Sequence, residues 1–188
     1  MAKYILHGGN TKNPSESNKK FFKEITRNLK EPVKVLIMLF SRNKALWKEI
    51  YLAIQKFFTS ASPKKELNFS LAIHNIPKLI NQIKESDVIY MHGGNTHSLQ
   101  AVLEKIPNLE NLWKNKIVSG SSAGALVLGK YFYENDDNTF NKGLGILPYK
   151  ILVHYDESKK GVLKKLESHE EDLKIIRLEE EKFLIINS

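Results

Sequence analysis

Two apolar rhythms alternate along the first two thirds of this 188-residue chain, and they restrict the folds open to it. Tyr4-Ile5-Leu6 reads as a first strand. Phe21, Phe22, Ile25 and Leu29 then recur at helical spacing over 15–30, with Asn13-Pro14-Ser15 as the helix start and Pro32 as its break. Residues 33–40 form a second strand, and Leu46, Ile50, Ile54 and Phe57-Phe58 mark a second helix. After a polar loop at 60–65, a third strand is expected over 67–73, a helix over 76–84, a fourth strand over 87–91, a helix over 96–103 and a fifth strand over 116–119. Strict alternation of this kind implies parallel strands joined by right-handed crossovers. The expected fold is α/β: a doubly wound, mostly parallel sheet with helices on both faces, in one domain spanning 1–188. Ligands bind such sheets at the carboxyl ends of the strands. Those ends carry His7-Gly8-Gly9-Asn10, Ser41-Arg42, His92-Gly93-Gly94-Asn95 and Ser122.

The fifth strand runs into Gly120-x-Ser122-x-Gly124, and small residues over 123–129 follow as a helix start. This is the nucleophile-elbow pattern, in which a serine sits on a sharp strand-to-helix turn. The glycines are needed because a side chain at either place would collide with the neighbouring strand or helix. The serine oxygen then lies close to a helix N-terminus, whose free N–H groups favour developing negative charge.

A serine hydroxyl needs a base within hydrogen-bond reach, and the base needs an orienting group. Downstream, 151–155 reads as a strand ending near His154, and 159–168 as a basic helix. His169 lies in a charged run and reads as solvated surface. Asp136 and Asp137 lie in the polar segment 134–142, which is expected to be a hairpin or loop crossing the elbow helix. The expected order is Ser122, then Asp136 or Asp137, then His154. The oxyanion donors would be the N–H of Ala123 and that of Gly93 or Gly94. The latter pair equally suits a tight turn with Asn95 or Thr96 as helix cap. Segments 173–178 and 183–186 are expected to close the chain as a hairpin. His-Gly-Gly-Asn-Thr occurs at both 7–11 and 92–96, each time after a strand.

Composition narrows the chemistry. There are no cysteines, which excludes disulfides and a thiol nucleophile. The net charge is +8, but the lysines are spread over helix faces rather than gathered in one stripe, so nucleic acid is not the expected partner. The first residues lack the long apolar stretch of a secretory signal, and no apolar run approaches a membrane span. A cytoplasmic location is expected, with no membrane partner, on a monomer or homodimer.

Four segments carry a resemblance: Gly93-Gly94-Asn95-Thr96, Gly120-Ser121-Ser122-Ala123-Gly124-Ala125, Gly143-Leu144-Gly145-Ile146-Leu147-Pro148, and His154. In this order they resemble the S51 serine peptidases, the family of peptidase E and cyanophycinase. The resemblance implies the fold of class I glutamine amidotransferases, a flavodoxin-like three-layer sandwich, with serine in place of cysteine at the elbow. It implies Ser122 as nucleophile, His154 as base, and Gly93 or Gly94 with Ala123 as oxyanion donors. For the acid, Asn135-Asp136 resembles a pair in peptidase E, whereas ungapped counting from the serine gives Asp137. His92 before the glycines and His97 after the threonine depart from the family pattern, and the chain is shorter than typical members.

The expected activity is hydrolysis of a small peptide or amide, with an aspartyl residue at the scissile bond as in peptidase E, and without metal or cofactor. Candidate substrate-binding residues are Asn95, Thr96 and Arg42; Arg42, with His92, His97 and the excess of lysine, would make the cleft mouth positive. A non-catalytic binding domain and an esterase are the alternatives. Only 66 residues follow Ser122, which leaves little room for the later strands of an α/β-hydrolase.

Overall fold

The computed structural model describes residues 2–187. Strands and helices alternate as β1 (Lys3–His7), α1 (Glu16–Thr26), β2 (Val33–Met38), α2 (Trp47–Ala61), β3 (Leu67–Leu71), α3 (Ile76–Glu85), β4 (Val88–Met91), α4 (Thr96–Leu103), α5 (Leu109–Trp113) and β5 (Ile117–Ser121). The helix starts follow from local chemistry. Ser15, Asn75 and Asn95 each accept a backbone N–H from the residue three positions on, at 3.2, 3.1 and 2.8 Å. These side chains satisfy N–H groups that have no carbonyl a turn earlier.

The parallel part of the main sheet has the order β1-β5-β4-β2-β3. Its side chains alternate faithfully between two cores. Ile5, Val35, Ile37, Val88, Tyr90 and Ile117 point to one face, where Phe21, Phe22 and Ile25 of α1 and Ile54 and Phe58 of α2 cover them. Leu6, Leu36, Met38, Ile89, Met91 and Val118 point to the other, against α3, α4 and α5. A strand buried on both faces reads as a continuous apolar run, which is why these strands were visible in the sequence.

Past β5 the chain builds a second layer: α6 (Ala123–Leu126), β6 (Gly129–Glu134), β7 (Thr139–Lys142), β8 (Leu147–Leu152), α7 (Lys160–Ser168), β9 (Ile175–Arg177) and β10 (Phe183–Asn187). The elbow helix is a single turn. The 134–142 segment is the expected hairpin, with β6 and β7 antiparallel. The closing hairpin is corrected. β9 pairs in parallel with β8 in a second sheet of order β7-β6-β8-β9, whereas β10 pairs antiparallel with β1 in the main sheet. The turn between them is bonded to the end of β1: Gly8 N–H donates to Lys182 O (2.9 Å) and Glu181 N–H to Gly9 O (3.0 Å). Those bonds send the two strands into different sheets. Phe132, Ile151 and Val153 of the second layer join the core that contains α3 to α5.

His7 ends β1 and is fully buried. Its Nε2 lies 2.9 Å from Asn18 Oδ1, and its Nδ1 accepts the Gly9 N–H at 3.1 Å. Nδ1 is thus the acceptor and Nε2–H the donor, so the ring is neutral. Asn18 passes the network on, donating to Asn10 O and Asn13 O at 2.9 and 2.8 Å. Burial lowers the His7 pKa to about 4, the bond to Asn18 only partly opposing it. Because the folded value lies below the unfolded one of about 6.5, the unfolded chain takes up the proton first, and stability falls as pH drops from 6.5 toward 4. Urea unfolding at pH 7.5 and 5 should show a loss of roughly 2 kcal/mol from this histidine. His7→Gln should flatten that pH dependence; an unchanged slope would contradict the assignment.

Candidate active site

The elbow is built by close approach. A Cβ on Gly120 would lie 2.1 Å from Gly124 O, and one on Gly124 would lie 2.3 Å from Met91 O. Only glycine lets β5, α6 and β4 come together in this way. Between the glycines Ser122 adopts φ 50, ψ −112, a strained conformation for a side-chain-bearing residue. Its N–H donates to His7 O (3.0 Å), while its carbonyl accepts the N–H groups of Ala125 and Leu126. Ser121 is buried and, with Ser122, borders the cleft.

Ser122 Oγ lies 2.8 Å from His154 Nε2. His154 stands just beyond β8, also at positive φ (51). Its N–H donates to Gly8 O (3.0 Å) and its carbonyl accepts Lys159 Nζ (2.6 Å). The ring lies against Gly9, where a Cβ would fall 2.0 Å from His154 Cε1. On its far side Nδ1 lies 2.9 Å from Glu180 Oε1. A carboxylate can only accept, so Nδ1 carries the proton and Nε2 is free to accept from the serine hydroxyl.

The carboxylate beside His154 is therefore Glu180, not Asp136 or Asp137. Both aspartates lie in the exposed turn between β6 and β7. Asp137 accepts the N–H (3.3 Å) and hydroxyl of Thr139 and sits 3.8 Å from His97 Nε2. Glu180 was missed because it stands in Glu179-Glu180-Glu181, which reads as a solvated turn. The turn is anchored through Glu181, whose carboxylate accepts Asn10 Nδ2 (3.3 Å) and Asn13 Nδ2, and whose carbonyl accepts the Ser17 hydroxyl.

Gly93 lies alongside the serine: a Cβ there would be 3.1 Å from Ser122 Cβ and 3.7 Å from Oγ. Gly94, at φ 143, turns away and packs on Ser41 O, which a Cβ would approach to 2.3 Å. Ala123 is the first residue of α6, so its N–H has no carbonyl a turn earlier. Of the three expected substrate contacts, Arg42 lines the cleft and Asn95 and Thr96 do not. The Asn95 side chain caps α4, and Thr96 is buried.

The cleft has a volume of about 590 Å³ and is lined by Ser122, His154, Glu180, Gly93, His92 and Arg42, among others. Arg42 Nε donates to Gly93 O at 2.6 Å, and its guanidinium forms no ion pair among the described residues. His92 does not add charge to the mouth as expected. Burial, then the neighbouring Arg42 cation, lowers its pKa to about 4, which keeps it neutral near pH 7. His97 lies outside the cleft lining and faces Asp137. Among the described residues no group of three or more His, Asp or Glu is placed to hold a metal ion, and no helix is long and apolar enough to cross a membrane.

The model of peptidase family S51 matches residues 5–188. The chain is 34% identical over 118 residues to the uncharacterized peptidase YgaJ of Bacillus subtilis (strain 168), a match spanning 56% of this chain and 50% of that protein. The chain thus matches about half the length of that curated relative. Among solved structures, a "putative peptidase E protein" from Listeria monocytogenes EGD-e superposes with a TM-score of 0.71 at 19% identity, covering 99% of this chain and 94% of that one. A peptidase from an acI-B1 Actinobacterium gives 0.68 at 20% identity, covering 100% and 84%. At these identities the structures establish the shared fold.

The geometry separates the acidic candidates. Glu180→Gln should lower turnover of a cleaved peptide by roughly 10²-fold or more, since an amide can hold the imidazole in the wrong tautomer. Asp137→Asn should change it less than about twofold, as its contacts are local to the hairpin. Steady-state kinetics on the two purified variants check this; the reverse ranking would overturn the placement.

Proposed function

The chain belongs to peptidase family S51, and we propose that it is a serine hydrolase that cleaves a small peptide beside an aspartyl residue. The observation that carries this reading is the continuous relay from Ser122 Oγ through His154 to Glu180, at 2.8 and 2.9 Å, opening into a cleft. Ser122 Oγ attacks the scissile carbonyl carbon while its proton passes to His154 Nε2. The carbonyl oxygen becomes an oxyanion beside the N–H groups of Ala123 and Gly93, which a helix N-terminus and a glycine turn leave available. The C–N bond then breaks as His154 protonates the leaving amine. Water, deprotonated by the same nitrogen, hydrolyses the acyl-enzyme and returns Ser122. Glu180 holds the imidazole and offsets its positive charge in both halves of the reaction. This sequence draws on no metal or cofactor.

Arg42 supports the aspartyl preference. Its Nε is fixed on the carbonyl of Gly93, the residue whose N–H is the proposed oxyanion donor, and it forms no ion pair with a carboxylate of the described residues. A substrate carboxylate beside the scissile bond supplies the missing partner. With His92 neutral, Arg42 and Lys12 are the cations of the cleft lining, and Arg42 is the one held on Gly93 beside the serine. Hydrolysis of Asp-Leu should exceed that of Asn-Leu, the margin narrowing as salt rises because screening weakens attraction at the exposed guanidinium. Arg42→Gln should remove the margin, and Ser122→Ala should remove turnover of both. Equal rates for the two dipeptides with the unaltered protein would contradict the aspartyl preference.

A further inference from the structure

His7 is fully buried, does not line the cleft and takes no part in the proposed reaction. Its hydrogen bonds nevertheless lead to every member of the relay. Its carbonyl accepts the Ser122 N–H at 3.0 Å. Its Nδ1 accepts the Gly9 N–H at 3.1 Å, which pins the Gly8-Gly9 turn. That turn carries His154. Gly8 O accepts the His154 N–H at 3.0 Å, and the imidazole lies so close to Gly9 that a Cβ there would fall 2.6 Å from both ring nitrogens. The same turn holds the chain on the far side of Glu180: Gly8 N–H donates to Lys182 O at 2.9 Å, and Gly9 O accepts the Glu181 N–H at 3.0 Å. A second path leaves the other nitrogen of His7. Nε2–H donates to Asn18 Oδ1 at 2.9 Å, Asn18 Nδ2 donates to Asn10 O and Asn13 O, and the Asn10 and Asn13 side chains donate to the Glu181 carboxylate. One nitrogen must accept and the other donate, which only the neutral ring protonated on Nε2 can do. A phenyl ring could occupy the same space against Phe21, whose ring centre is 4.3 Å away, but it could serve neither path.

Resting on the serine-peptidase reading above, we propose that His7 is a positioning residue for the relay: by holding Gly9 with one nitrogen and the Asn18 network with the other, it sets where the His154 ring and the Glu180 carboxylate meet. His154 follows β8 of the second sheet and Glu180 stands in the turn before β10, so the Gly8-Gly9 turn is the backbone to which both are bonded. A general base misplaced by about 1 Å can cost roughly 10²-fold in rate, even when the cause lies away from the reacting atoms.

The test measures kcat and KM for a cleaved peptide in His7→Phe and His7→Asn proteins, with turnover counted per folded molecule. His7→Phe should lower kcat by about tenfold or more and leave KM within about threefold, because His7 does not touch the cleft. His7→Asn should recover part of the loss, since its Oδ1 stands two bonds from Cβ, as Nδ1 does, and can accept the Gly9 N–H. An unchanged kcat in His7→Phe, an equal loss in both variants, or a loss carried by KM alone would overturn the assignment. The ring nitrogen NMR shifts of His154 provide a readout without turnover. The Nδ1–H form should dominate in the unaltered protein and give way to a mixture of tautomers in folded His7→Phe. If no peptide is hydrolysed, the serine-peptidase reading fails, yet that change still upholds the role of His7, and unchanged shifts overturn it. Should neither His7 variant fold, Asn18→Leu cuts the path to Glu181 alone, and His154 shifts unchanged by it overturn the assignment equally.

Discussion

The site depends on how closely the backbone of α6 approaches that of β4. A single added Cβ at Gly124 would overlap the Met91 carbonyl at 2.3 Å, and one at Gly120 would overlap Gly124 itself at 2.1 Å. With that approach fixed, the chain reverses between strand and helix within one residue, and Ser122 absorbs the change at φ 50. The strain is held by the contacts around it: the Ser122 N–H on His7 O in front, and the first turn of α6 behind. In the proposed reaction, a serine held in this way loses little further freedom on meeting a substrate.

Sheet order then decides what surrounds it. β5 lies between β1 and β4, so the two His-Gly-Gly-Asn-Thr turns at 7–11 and 92–96 flank the elbow from opposite sides. Identical sequences take different tasks there. At 93 the missing side chain lets backbone lie against the serine, and at 9 it makes room for the His154 ring. His154 comes from the second sheet and Glu180 from the turn that crosses between the sheets. The relay therefore forms only when both sheets are docked on the end of β1. Glu180 is half exposed, so its hold on His154 comes less from a dry environment than from the anchoring of its turn through Gly9, Asn10, Asn13 and Ser17.

The parts of this arrangement that were legible in the sequence are those set by local chemistry. The inner parallel strands could be read because they are buried on both faces, β3 because Leu67, Phe69 and Leu71 alternate with polar residues, and two of the helix starts because Ser15 and Asn95 stand at them. The elbow could be read because two glycines two residues either side of a serine leave few other conformations. Ser122 and His154 were named together, and the structure brings them into contact. What failed was long-range. Nothing local distinguishes Glu180 from the acidic residues beside it, since its partner is fixed by the pairing of β10 with β1. Asp136 and Asp137 were nearer in sequence and in the right order, but they lie in an exposed hairpin turn, where Asp137 meets Thr139 and His97. Segments 173–178 and 183–186 look like a hairpin in any local reading, and only the bonds from Gly8 and Gly9 to the intervening turn part them. Asn95 was offered to a substrate and proves to be spent on its helix.

In the proposed reaction His154, oriented by Glu180, activates Ser122. Reaction with a fluorophosphonate probes it directly, because the reagent consumes the serine oxygen in one step and needs no knowledge of the natural substrate. Intact-mass and peptide mapping should find one adduct, on Ser122, formed much more slowly in a His154→Ala protein that folds normally. Adduct formation at another residue, or an unchanged rate without His154, would contradict the account.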